Sequence, residues 1–96
     1  MIGVIATLRA KTDKGAEFEA VFAELASQVR ANESGNVAYQ LCRSRDQANT
    51  YKVLEIYHHE EALAAHRASD HFRSAGPALG ALLEGRPEVE LLDAIG

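Results

Sequence analysis

Residues 50–57, Thr50-Tyr51-Lys52-Val53-Leu54-Glu55-Ile56-Tyr57, read as a β-strand with apolar residues on both faces. Side chains alternate along a strand, so Tyr51, Val53 and Tyr57 share one face while Leu54 and Ile56 share the other. The preceding residues 36–45 form a second strand around Val37, Tyr39 and Leu41, and Asp46-Gln47-Ala48-Asn49 reads as the hairpin loop between the two. Residues 2–9 (Ile-Gly-Val-Ile-Ala-Thr-Leu-Arg) are equally β-rich, with Ile2, Val4, Ala6 and Leu8 on one face and Ile5 on the other. Glu88–Asp93 supplies the last strand, in which Leu91 and Leu92 point opposite ways.

Helical periodicity fills the gaps. Phe18, Val21, Phe22, Leu25 and Val29 recur at i, i+3, i+4, i+7 and i+11, with Glu17, Glu19, Glu24, Gln28 and Arg30 on the other side. That is an amphipathic helix with one buried stripe. Thr12-Asp13-Lys14-Gly15 is the turn before it; Asp13 is expected to cap the helix and Gly35 to stop it. Helical pattern resumes near residue 60 with Glu60-Glu61-Ala62-Leu63-Ala64-Ala65-His66. Ser69 reads as a fresh N-cap with Asp70 in the first turn behind it. The helical segment that follows carries Phe72, Leu79, Leu82 and Leu83 and ends at Gly85. Gly76-Pro77 and Gly80 weaken its middle; a mobile lid and a packing kink are the two readings, of which the kink is preferred.

The resulting order is β-α-β-β-α-β. It predicts one α+β domain over residues 1–96 with a ferredoxin-like fold: a four-stranded antiparallel sheet with its helices on one face. Right-handed crossovers put the helices on the same side. A monomer of this design needs a polar face opposite the helices. Three strands violate that, which predicts a homodimer whose second copy covers the exposed sheet.

Composition narrows the function classes. The chain has 96 residues, 47% hydrophobic, with a formal net charge of −4. No apolar run approaches the roughly 18 residues of a membrane span. Acidic residues (14) outnumber Lys and Arg (10) and no basic block occurs, so neither a membrane nor a nucleic-acid partner is expected. The single cysteine, Cys42, permits no internal disulfide and is expected to pack as a small hydrophobe, in keeping with a cytoplasmic protein. Met1-Ile2-Gly3 opens without a basic region or a long apolar stretch, so no targeting segment is expected.

No glycine-rich phosphate loop or nucleophile elbow is written in the chain. His59-Glu60-Glu61-Ala62-Leu63 begins like a zinc-protease helix, but Leu63 stands where the second histidine belongs. His58, His59, His66 and His71 therefore read as a solvated, partly helix-capping cluster, with no metal site expected. The denser constellation follows the third strand. Glu55 and Tyr57 share a face, and a carboxylate in an apolar strand needs a partner or a polar cleft. His66 lies three residues after Leu63, on the stripe that faces the sheet, and Tyr39 adds a second phenol. Two tyrosines, a histidine and a carboxylate around an apolar cleft suit a flat, oxygen-rich aromatic ligand. His66 is the candidate general base; its alternative use is a histidine at the core edge, bonded to Glu55 or to backbone.

The stretch Tyr51–Tyr57, then Glu60–His66, then Ser69-Asp70-His71-Phe72 resembles the signature of the antibiotic biosynthesis monooxygenase family. That family's wording is a strand ending Glu-x-Trp/Tyr, an Ala-Leu-x-x-His helix and a Ser/Thr-x-His-Phe/Tyr helix start. Gly35-Asn36-Val37-Ala38-Tyr39 resembles its Gly-x-x-x-Tyr second strand, so the likeness spans essentially the whole chain. The resemblance implies a dimeric α+β barrel and oxidation of a small phenol or quinol by O₂ with no cofactor. It places His66, Glu55 and Tyr57 in catalysis and Tyr39, His71 and Phe72 against substrate. A haem-degrading branch uses Asn, Trp and His where this chain has Thr7, Tyr57 and Gly76, so that activity is not implied. A branch that isomerises a phosphorylated autoinducer sugar is resembled about as well. A ligand-binding dimer without turnover is the third alternative.

Overall fold

Alternation and helical period become seven elements in the computed structural model, which describes residues 1–96. They are β1 (Ile2–Arg9), α1 (Gly15–Asn32), β2 (Asn36–Arg43), β3 (Thr50–Tyr57), α2 (Glu60–Ala68), α3 (Asp70–Leu82) and β4 (Glu88–Asp93). The strands form one antiparallel sheet in the order β2-β3-β1-β4. This is the ferredoxin-like α+β fold, with the second helical stretch divided at Ser69, whose hydroxyl accepts from the Phe72 amide and so caps α3.

Register decides what faces the helices. Tyr39 lies opposite Glu55, Glu55 opposite Val4, and Val4 opposite Leu91, a row across all four strands. The stripe of α1 buries Phe18, Phe22, Leu25 and Val29 against Leu8, Tyr39, Tyr51 and Val53. Phe22 stacks on Tyr39 with ring centres 5.5 Å apart. A smaller cluster of Val4, Tyr57 and Leu63 lies beneath α2. Helix α3 has no fully buried residue, because it stands off the sheet instead of filling the space beneath it.

Several local expectations are corrected. Asp13 does not cap α1: it adopts a left-handed φ of 65° and turns the chain, and Lys14 occupies the cap position without a side-chain bond. Gly35 does not stop the helix, which ends at Asn32 with Glu33 extended behind it. Gly35 answers a different need, since a Cβ there would lie 2.5 Å from that of Ala62. Strand β2 ends at Arg43, two residues early, with a register shift between Asn36 and Ala38. Cys42 is exposed instead of packed, because β2 is an edge strand and Cys42 sits on its helix-free face. Helix α3 runs through Pro77 and ends at Leu82, before the Gly85 stop, because Leu83 is already extended.

The helix-free face of the sheet carries an apolar patch bordered by a polar row of Glu88, Thr7 and Lys52. Leu54 and Leu92 remain 43% and 40% exposed on it, with Ile5 and Ile56 between them. No helix is long and apolar enough to cross a membrane.

Candidate active site

The gap under α3 is a cavity of about 400 Å³ between the helices and the sheet. Val4, Ala6, Leu8 and Val53 form its floor, Phe22 and Leu25 of α1 one wall, and Leu63, Phe72 and Leu79 the other. Gly76 and Gly80 on α3, the segment from Leu83 to Val89 beyond it, and the arginines Arg67 and Arg86 also line it. Such a size accommodates a small organic ligand.

Besides the two arginines, three polar side chains interrupt the apolar wall: Tyr39, Glu55 and His66. His66, in the last turn of α2, is 3% exposed. Its ring lies among those of Tyr39, Tyr57 and Phe72, with centres 5.3, 5.5 and 4.7 Å away. Its Nδ1 lies 2.9 and 3.1 Å from the two carboxylate oxygens of Glu33, the residue that ends α1. An ionised carboxylate only accepts, so the neutral imidazole carries its proton on Nδ1 and leaves a lone pair on Nε2. Nε2 has no partner within the chain, and no side-chain polar atom is sealed away unpaired, so Nε2 opens on the cavity. The Tyr39 hydroxyl is in the same position.

Glu55 accepts a 2.7 Å hydrogen bond from the Tyr57 hydroxyl. Burial pushes the Glu55 carboxyl above the usual carboxylate range, against the opposing pull of that bond and of His66 and Arg67. Burial also raises both phenols, Tyr39 further through the nearby charges of Glu55 and Glu33, and Tyr57 further through its bond to Glu55. Both therefore stay neutral hydrogen-bond donors at physiological pH.

Of the residues singled out from sequence, Tyr39, Glu55, His66 and Phe72 meet at the cavity. Tyr57 and His71 do not line it. Tyr57 is fully buried behind Glu55, and His71 turns its Nε2 onto Glu33 from the far side. His66 bonds neither Glu55 nor backbone through its ring, the alternatives read from sequence; its partner is Glu33. The expected solvated histidine cluster divides in two. His58 and His59 are exposed, and His59 Nδ1 accepts from the Ala62 amide to cap α2. His66 and His71 instead gather with Glu33, their donor atoms all within 4.8 Å of one another. Sequence reasoning missed Glu33, Arg67 and Arg86. Glu33 carries no local signal beyond being a carboxylate just past an amphipathic helix.

The model of the antibiotic biosynthesis monooxygenase family matches residues 1–77. A Caulobacter crescentus protein provisionally described as such a monooxygenase is 48% identical over 99% of this chain and 90% of its own, with a TM-score of 0.96. A conserved protein from Methanosarcina mazei is 26% identical over 95% and 89% of the two chains, with a TM-score of 0.89. SnoaB of Streptomyces nogalater, described as a cofactor-independent oxygenase, is 29% identical over 97% and 91%, with a TM-score of 0.84. No curated protein matches. With the family model covering most of the chain and a solved relative at 48% identity, the chain belongs to the antibiotic biosynthesis monooxygenase family.

Proposed function

We propose that this protein is a cofactor-independent monooxygenase that oxidises a small phenol or quinol with O₂. The observation that carries the reading is the bare Nε2 of His66 facing an apolar cavity, with Glu33 held on its other nitrogen. His66 removes a phenolic proton, and Glu33 stabilises the imidazolium that forms. The electron-rich anion then reduces O₂ and bonds one oxygen to a ring carbon. Loss of the second oxygen as water leaves a hydroxyquinone, so dihydroxyarene plus O₂ gives hydroxyquinone plus water. The substrate supplies all four electrons. Tyr39 donates a hydrogen bond that orients a substrate oxygen, Glu55 meets the substrate from the sheet, and the His66 imidazolium returns its proton to the departing oxygen. Tyr57 holds Glu55 in place and Phe72 walls the ring plane. The apolar floor excludes water from the anion.

The same reading makes the active molecule a cytoplasmic homodimer. Leu54 and Leu92 lie on an exposed apolar patch of the helix-free face, which a two-fold copy would cover. The helix side stays free to keep its cavity.

Oxygen uptake with a panel of dihydroxyarenes tests the reaction. Turnover should place one atom of isotopically labelled O₂ in the product, and His66→Ala should lose it. Absence of uptake across the panel would refute the reading. The arginines Arg67 and Arg86 on the lining favour a second one, isomerisation of a small phosphorylated metabolite by the same base. Product formed without O₂ would select it.

A further inference from the structure

Behind His66, on the side away from the cavity, Glu33 stands between two imidazoles. We propose that Glu33, His66 and His71 bind one divalent transition-metal ion of the zinc class. The donor set is two neutral nitrogens and one carboxylate, the kind of three-residue set that holds zinc with a fourth position left open. The donors come from three separate places: the end of α1, the last turn of α2 and the first turn of α3. Their atoms lie within 4.8 Å of one another. Bonds of about 2.0–2.2 Å to a shared ion separate neighbouring donors by about 3–3.5 Å. The His66 Nδ1 contacts of 2.9 and 3.1 Å already approach that spacing, so small side-chain shifts admit the ion.

Burial and field agree with the chemistry. The side chains of His66, Glu33 and His71 are only 4%, 9% and 16% exposed, unlike an adventitious surface cluster. The C-terminal ends of α1 and α2 converge on the site with partial negative charge that favours a cation, two helix ends against the single positive N-terminus of α3 at His71. A crevice between α1 and α3, with Glu24, Gln28, Asn32, Asp70 and Ser74 along it, reaches His71 from solvent. It supplies a route from solvent to the His71 side of the site. An ion on Nδ1 forces the imidazole proton to Nε2, which turns the lone pair facing the cavity into a donor. That consequence alone rests on His66 being the base; the site itself does not.

The test is calorimetric titration of the chelator-treated full chain with Zn²⁺, and with Co²⁺ followed by visible absorption. One ion per chain is expected, with the intense cobalt bands of four-coordination. His71→Ala and Glu33→Gln should each weaken binding at least ~10-fold, while His58→Ala and His59→Ala leave it unchanged. Circular dichroism checks the fold of each variant, and His71→Gln serves if His71→Ala is unfolded. No binding, or binding that His58→Ala or His59→Ala removes and the His71 and Glu33 variants do not, overturns the proposal. Because the readout is binding, its failure is separate from any failure of oxygen uptake.

Discussion

Glu33 ends the first helix and takes the Nδ1 of His66, 2.9 Å away, across 33 positions of sequence. One contact fixes the ring's orientation, its tautomer and which nitrogen meets the cavity. The proposed chemistry depends on that contact more than on any other.

His66→Ala should lower kcat by about 10²–10⁴-fold, the usual contribution of a positioned base. Oxygen uptake gives the rate and a thermal melt checks the fold. A variant that keeps its rate would remove His66 from the mechanism.

Glu33→Gln should lower kcat by at least ~10-fold with little change in KM, since a neutral amide neither stabilises the imidazolium nor selects one tautomer. Measurement of kcat and KM at a single pH decides it. A change confined to KM would assign Glu33 to binding instead.

Glu55 makes stability depend on pH. Its folded carboxyl is raised above the ordinary value of 4.5 by burial. Its contribution to stability is therefore full below 4.5 and is lost as pH rises through the folded value. Glu55→Gln keeps an acceptor for the Tyr57 hydroxyl and does not titrate. The variant should gain on the native chain as pH rises, with the difference growing above the carboxylate range. Denaturant unfolding at several pH values measures it, and parallel curves would contradict the account.

Tyr57→Phe removes the hydroxyl that donates to Glu55 and leaves a buried acceptor short of a partner. A loss of about 1–3 kcal/mol is expected, read from denaturant unfolding. Activity should fall less than with His66→Ala, because Tyr57 stands behind the cavity and not in its wall.

Leu54→Asp with Leu92→Asp should convert a dimer to a folded monomer in sedimentation. Both side chains lie on the helix-free face, where packing against a second copy cannot bury unpaired charges without cost. A native chain that already sediments as a monomer would exclude the dimer.

What the sequence determined by itself is everything that repeats along the backbone. The alternation in residues 2–9 and 50–57, the stripe from Phe18 to Val29 and the Ser69 cap depend on neighbours a few positions away, and each appears in the structure. The row of Tyr39 and Glu55 was also within reach, because strand alternation sets which face each occupies. Where local geometry had two solutions the reading failed: Asp13 turned the chain instead of capping it, and Gly35 served a close approach to Ala62 instead of a helix end. Only the tertiary structure brought Glu33 to His66 and His71, moved Tyr57 behind Glu55 and opened the space under α3. Those relations depend on how whole helices settle on the sheet. Periodicity states which side of a helix is buried, but it does not state which residue of another helix waits there.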